Sequence, residues 1–172
     1  MWVTLHVEVD SVGLNMTQTR IESTVAFTKP GTLKELSSFL GVVNYFRDHM
    51  RNHSQHAHSL NEMVATANKH ATKTITWTTE GLQGFEKLKA MVNACPKLYF
   101  INNAYKVVLY TDASDYAHGA YLCQIASNGE GAEREEPIRF LSGSFSGAQV
   151  RWSTIEKEAY AAACPGNSKH PG

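Results

Sequence analysis

A chain of 172 residues with 42% hydrophobic and 19% charged content is long enough to bury a real core and too apolar to be intrinsically disordered. Sixteen Lys and Arg balance sixteen Asp and Glu, so net charge does not announce a nucleic-acid binder. No apolar run approaches the ~18 residues of a membrane-spanning helix. The start, Met1-Trp2-Val3-Thr4-Leu5-His6, lacks the basic-then-apolar order of a secretion signal. The expectation is therefore an intracellular protein, cytoplasmic or nuclear, not secreted and with no membrane partner. Cys95, Cys123 and Cys164 are far apart and odd in number, which fits reduced thiols and offers no zinc knuckle. Residues 1–100 carry 10 Lys/Arg against 8 Asp/Glu, and residues 101–172 carry 6 against 8. That faint division fits a helical part near phosphates and a carboxylate-bearing part after it.

Residues 1–29 show a loose alternation at Leu5, Val7 and Val9 followed by a polar stretch, which reads as a strand remnant and a connector. After the turn Lys29-Pro30-Gly31, the segment Thr32-Leu33-Lys34-Glu35 has the form of a capping box. Leu33, Leu36, Leu40 and Val43, flanked by Phe39, Val42 and Phe46, then recur at three and four residues, which predicts an amphipathic helix to about His49. A second helix is expected from about His56 to Lys69, with Leu60, Met63, Val64 and Ala67 on one side. A third opens at Trp77-Thr78-Thr79-Glu80, with Leu82, Phe85, Leu88 and Val92 inward, and Cys95-Pro96 closes it.

The period then changes. Lys106–Thr111, Ala117–Ile125 and Pro137–Leu141 read as three strands of an antiparallel meander, with a turn at Ser114-Asp115-Tyr116 and a polar loop over residues 127–136. Ser153-Thr154-Ile155-Glu156 is a second capping box, and it opens a helix through Ala163 that Pro165-Gly166 ends. No internal repeat or low-complexity segment is found.

Two acids stand out. Asp112 sits at the exit of the apolar run Val107-Val108-Leu109-Tyr110, and Glu156 and Glu158 follow on the last helix. A strand ending in Asp beside a helix carrying Glu is how a nuclease begins a divalent-metal site. Taken alone, such acids are more often turn-formers or solvated helix residues, and Asp115 is read that way. With Ser153 as cap, Glu156 falls where it reaches the cap amide, whereas Glu158 shares an inward stripe with Ile155 and Ala162, roughly 200° from Glu156. Capping is thus assigned to Glu156 and metal to Glu158. His49, His53, His56 and His58 cluster within ten positions. His49 and His53 could chelate a metal if the helix continued that far, but Asn52-His53-Ser54 reads as a helix end. A polar, partly basic surface is favoured, on which Arg47, Arg51 and His53 contact a nucleic-acid backbone; a merely solvated helix end is the alternative. Trp77, Phe85, Tyr99 and Phe100 are read as core-packing and not base-stacking residues, and Trp152 as a hydrophobic staple.

In one order along the chain, the motifs resemble a known family. Residues 32–47, Thr-Leu-Lys-Glu-Leu-Ser-Ser-Phe-Leu-Gly-Val-Val-Asn-Tyr-Phe-Arg, are similar to the thumb helix of reverse transcriptases from gypsy-type LTR retrotransposons and endogenous retroelements. Ile75-Thr76-Trp77-Thr78 with Phe85, Leu88 and Lys89 resembles the following connection segment. Tyr110-Thr111-Asp112-Ala113-Ser114 with Gly119, Ala120 and Gln124 resembles the first strands of the attached ribonuclease H domain. Pro137-Ile138, Phe140 and Trp152-Ser153-Thr154 with Glu156-Lys157-Glu158 resemble its third strand and first helix. The resemblance implies a Pol-polyprotein fragment of mixed α+β and α/β class: a connector over 1–29, a helical thumb-connection domain over 30–100, a truncated ribonuclease H-like half-domain over 104–163, and a divergent tail over 164–172.

It also implies Mg²⁺ as cofactor, an RNA–DNA hybrid or other nucleic acid as partner, and catalytic and metal-ligand roles for Asp112 and Glu158. The parent would make DNA from RNA and hydrolyse the RNA strand of the hybrid. The family's third and fourth carboxylates follow the matched helix, yet no Asp or Glu follows Glu158, and the polymerase palm would precede residue 1. The isolated chain is expected to have neither activity. Alternatives are a non-catalytic nucleic-acid-binding or interaction remnant and a partial gene product. Unpaired sheet edges would favour association with other chains.

Overall fold

The computed structural model describes residues 2–3, 6–127 and 132–163. The described residues form two antiparallel sheets and a buried helical cluster. The first sheet runs β1 (Trp2–Val3), β2 (Val7–Val9), β3 (Gly13–Met16) and, from much later in the chain, β4 (Leu98–Tyr99). Asp10 turns the chain between β2 and β3, its Oδ1 accepting from the amides of Val12 and Gly13 at 3.0 and 2.9 Å. Lys97 donates to the other oxygen at 2.6 Å, and this bond with the Val12 amide holds the Asp10 carboxyl down at about 2. Gly13 is required here because a Cβ would lie 2.1 Å from the Leu98 carbonyl oxygen on β4.

The connector expectation for residues 1–29 is corrected by α1 (Gln18–Val25). Its polar face hid the helical signal, since only Ile21 and Thr24 are buried. α2 (Leu33–Asn44) starts with the expected capping box: Thr32 Oγ1 accepts from the Glu35 amide at 3.2 Å, and Glu35 accepts from the Thr32 amide at 3.0 Å. It ends earlier than expected, giving way to a separate 3₁₀ turn over Arg47–His49. Next, α3 (His53–Lys69) begins at the very triplet read as a helix end. Asn52 has φ 55°, ψ 33°, a left-handed conformation that Asn tolerates and that re-aims the chain. α4 (Thr79–Asn93) is capped by Thr78, which accepts from the Gly81 amide at 3.0 Å.

Leu36, Phe39, Val43 and Phe46 meet Leu60 and Met63 of α3 and Phe85, Leu88 and Val92 of α4 in one buried cluster. Phe39 and Phe85 have ring centroids 4.6 Å apart, and Trp77 meets Phe85 edge-on at 5.6 Å. The core reading of Trp77 and Phe85 holds, whereas Leu82 and Phe100 are 40% and 46% exposed. Leu82 lies outside the stripe set by Phe85, Leu88 and Val92, and Phe100 lies just past the end of β4.

The second sheet is the expected meander, β5 (Lys106–Ala113), β6 (Ala117–Ser127) and β7 (Glu133–Ser144), followed by a 3₁₀ turn at Gly147–Arg151 and α5 (Thr154–Ala163). β7 begins inside the stretch expected to be loop, its Glu133–Glu136 pairing with Ser127–Gln124. Tyr110, Tyr121 and Phe140 face one another across the three strands, stacked at 5.8 and 4.7 Å. Gln124, buried in β6, accepts from the Asn102 amide at 2.9 Å and donates to Phe100 O at 3.2 Å and Glu136 at 2.9 Å. These bonds fix the link between the two parts onto the sheet. Residues 164–172, read as a divergent tail, lie outside the described residues.

Candidate active site

Asp112 occupies the penultimate position of β5, opposite Gly119 of β6, and its side chain is exposed. Its Oδ2 accepts from Asn52 Nδ2 at 3.1 Å, a bond that crosses 60 residues from the start of α3. Gly119 makes room for that side chain, since a Cβ there would lie 2.2 Å from Asn52 Oδ1. Asn52, Gln55, Asp112, Ser114, Ala117, His118 and Gly119 together line a small cleft.

α5 packs against β5 and β6, so the strand bearing Asp112 and the helix bearing Glu158 are neighbours. The helix presents a different face from the one inferred. Lys157 and Ala161 are its buried residues, while Ile155 is 82% exposed and Glu158 and Ala162 are also exposed. The inward-stripe argument for Glu158 is therefore corrected: Ile155 points to solvent, and the buried side is set by Lys157, the half-buried Tyr160 and Ala161. The capping assignment of Glu156 stands, its carboxylate accepting from the Ser153 amide and hydroxyl at 2.8 Å each. Those bonds hold its carboxyl below the usual range. Trp152 lies edge-on to Tyr160 at 5.5 Å.

Asp115 is not a free turn residue. The buried Lys157 donates to its backbone oxygen at 3.2 Å and to Oδ1 at 3.4 Å, tying α5 to the β5–β6 turn. The sequence assigns no role at the site to Asn52, and Gly119 and Lys157 figure there only as motif residues. The Asn52-His53-Ser54 signal fits either end of a helix, and here it starts one.

The basic cluster is also placed differently. Arg47 donates to Ser142 O at 2.7 Å, so its guanidinium is engaged by β7. His53 is buried and not on the surface, because α3 turns it inward from its first position. Burial, with Arg47 and His56 nearby, pushes its pKa down to about 4. His49 is buried as well, bonded through Nδ1 to Pro96 O at 2.9 Å, and it belongs to a separate 3₁₀ turn, so no i,i+4 helical pair with His53 forms. Arg51 remains exposed, 5.9 Å from the Tyr121 ring.

As donors, Asp112 and Glu158 suit a hard divalent cation in kind, both being accessible carboxylates. No group of three or more His, Cys, Asp or Glu that could hold a metal ion occurs among the described residues.

Residues 77–164 match the model of the RNase H-like domain found in reverse transcriptase. The chain belongs to this family. It is 33% identical over 149 residues to the Retrovirus-related Pol polyprotein from transposon 297 of Drosophila melanogaster, covering 87% of this chain and 13% of that protein. Over 153 residues it is 31% identical to the Transposon Tf2-3 polyprotein of Schizosaccharomyces pombe, covering 89% of this chain and 11% of that one. The chain therefore spans about an eighth of the curated relatives it matches.

Among solved structures, the foamy viral protease-reverse transcriptase in complex with RNA/DNA hybrid superposes with a TM-score of 0.69 at 25% identity, over 93% of this chain and 20% of that one. The dRH form in complex with double-stranded DNA gives 0.72 at 24% identity, over 92% of this chain and 26% of that one. The retroelement Pol resemblance and the α+β, ribonuclease H-like class are thereby established. No helix among the described residues is long and apolar enough to cross a membrane.

Proposed function

We propose that this chain is the part of a retroelement Pol polyprotein that carries the thumb-connection helices into the ribonuclease H-like domain, with the parts divided as 30–100 and 104–163, and that it contributes Asp112 and Glu158 to the nuclease site. The observation that carries this reading is the packing of α5 on β5, which brings the two acid-bearing elements together within the family-matched residues. Mg²⁺ bound by a completed carboxylate set would supply a hydroxide nucleophile and neutralise charge on the scissile phosphate. The chain's own part is to present one carboxylate from a strand end and one from a helix, and to hold the strand through Asn52 and the α5 turn through Lys157. The parent polyprotein performs RNA-directed DNA synthesis and hydrolysis of RNA paired to DNA, working inside the cell on a nucleic-acid partner. The solved relative bound to an RNA/DNA hybrid supports that substrate class.

With Asp112 and Glu158 as its whole share of the carboxylate set, the 172-residue chain alone does not cleave on this reading. The test is Mg²⁺-dependent cleavage of end-labelled RNA in an RNA–DNA hybrid, by this chain and by a Pol segment continued through the rest of the domain. The longer segment should cleave and lose activity on Asp112→Asn, while the short chain should not cleave. Turnover by the short chain that Asp112→Asn abolishes would refute its inactivity; indifference of the longer segment to Asp112→Asn would refute the site.

A second reading, a non-catalytic nucleic-acid-binding module, is favoured by the exposed Arg51 beside Tyr121. Salt-sensitive binding to the hybrid, weakened by Arg51→Ala, would support it.

A further inference from the structure

The segment from Arg47 to His58 ties the helical part to the second sheet, but one of its bonds does not serve that seam alone. Arg47 and Ser54 bond Ser142, Asp48 pairs with Arg139 at 3.0 Å, and His58 stacks on Tyr116 at 4.6 Å. Asn52 instead reaches the carboxylate of Asp112. Three independent features converge on that bond. Asn52 is held at φ 55°, one of two non-glycine residues with positive φ among the described residues. It stands at the N-cap of α3, but its side chain makes no cap hydrogen bond there, so an Asn that would ordinarily bond its own helix is turned away from it. The position paired with Asp112 on β6 is a glycine whose missing Cβ is the space Asn52 Oδ1 fills.

We propose that Asn52 is a positioning residue for Asp112: the helical segment fixes the rotamer of the strand-end carboxylate by donating to Oδ2, leaving Oδ1 available to a divalent cation. The proposal rests on the reading of Asp112 as a cation ligand. The donor comes from outside the matched residues 77–164, so a ribonuclease H-like unit separated from its preceding helices would keep the acid and lose the group that orients it. A carboxylate held by one outer hydrogen bond meets a cation without first losing rotamer freedom, and loss of such a bond typically weakens metal affinity by about 10- to 100-fold.

The test uses the 172-residue chain and Mn²⁺ as a paramagnetic probe. Three-bond couplings should report a single χ1 rotamer for Asp112, and Mn²⁺ should broaden the Asp112 and Gly119 amide signals. Asn52→Gly tolerates the left-handed backbone, so the fold is kept while the donor is lost. In that variant the Asp112 couplings should average, and the Mn²⁺ concentration for half-broadening should rise about tenfold. Gly119→Ala, which displaces the Asn52 side chain, should average the same couplings. Its destabilisation should largely disappear in the Asn52→Gly background. A single Asp112 rotamer and an unchanged Mn²⁺ midpoint in Asn52→Gly would overturn the positioning role. Absence of Mn²⁺ broadening around Asp112 in the unsubstituted chain would overturn the cation-ligand reading beneath it, whatever the couplings show.

Discussion

The helical part and the second sheet are held by different physics. In the helical part, Leu36, Phe39, Val43, Phe46, Leu60, Leu88 and Val92 are all fully buried in one cluster. In the second sheet the buried cluster shrinks to Tyr121, Cys123 and Phe140, joined by Leu98 from the first sheet. Val107, Leu109 and Tyr110 of β5 stay 45%, 44% and 42% exposed. What the sheet lacks in apolar burial is supplied by polar bonds to the segment from Arg47 to His58 and by the Gln124 clamp. The helical part therefore carries most of the apolar burial, and the sheet depends more on polar bonds to it. The acid-bearing β5 packs on β6 and α5, whereas the helical part docks on β6 and β7, so the Asn52–Asp112 bond is a direct tie between the helical part and the strand that carries the acid.

The strongest challenge to this contrast is a cavity in each part. Phe39→Ala removes a fully buried ring that touches Phe27 and Phe85, and should cost about 3–5 kcal/mol of global stability by denaturant titration. Phe140→Ala, at the partly open sheet face, should cost nearer the bottom of that range, about 3 kcal/mol. Hydrogen exchange of β5 amides should be much faster than that of α2 and α4 in the unsubstituted protein. Equal protection of the two parts would remove the distinction.

Acid should attack the seam between the parts. The unfolded pKa of His53 is about 6.5, and burial lowers the folded value to about 4. The unfolded chain takes up a proton first. Stability is therefore full above about pH 6.5 and lost as pH falls toward 4, by about 3 kcal/mol in total. Denaturation midpoints should fall between pH 7 and 4.5, and His53→Gln should flatten that dependence. Some slope remains because burial also lowers His49 and His56.

A smaller effect separates docking from folding. Arg47 donates a charged hydrogen bond to Ser142 O, so Arg47→Met should cost about 2 kcal/mol. If the asymmetry is right, the loss appears first as faster exchange in β7, while α2 and α4 keep their protection. Uniform loss across both parts would mean that they unfold as one unit.

The second sheet was the more legible of the two parts, although it is the less well packed. β-prone runs bounded by turn residues located most of β5 and β6 and the middle of β7, because a run of strand-forming side chains is readable without its partners. α1 escaped because its eight residues bury only Ile21 and Thr24, leaving no stripe to read. β4 escaped because two residues carry no period, and its pairing with β3 is a long-range event. At the candidate site, the acids could be named from the strand exit and the helix cap, whereas their surroundings could not. Ile155 suggested an inward stripe that docking of α5 reversed, and Lys157 took the buried place that hydrophobicity would have denied it. Asn52 lay in a signal that marks either end of a helix, and only tertiary packing distinguishes the two.

Two copies of one device allow a final, smaller test of the contrast. Thr32 with Glu35 and Ser153 with Glu156 are both reciprocal caps, one opening α2 and the other α5. Thr32→Ala and Ser153→Ala each remove a side-chain oxygen that accepts the third helical amide, a loss of about 1 kcal/mol. Their consequences should differ in reach. α2 carries Phe39 and Val43 into the core, so its cap loss should lower global stability by nearly the whole amount. α5 is anchored by Lys157, Ala161 and the ring of Tyr160 against His118 and Phe145, all past its first turn, so Ser153→Ala should mainly fray the start of that helix, visible as faster exchange over residues 154–158 with the global midpoint almost unchanged. Since Glu158 lies in that first turn and a half, the same variant would loosen one candidate ligand without touching Asp112, whose carboxylate is held from the other part of the molecule.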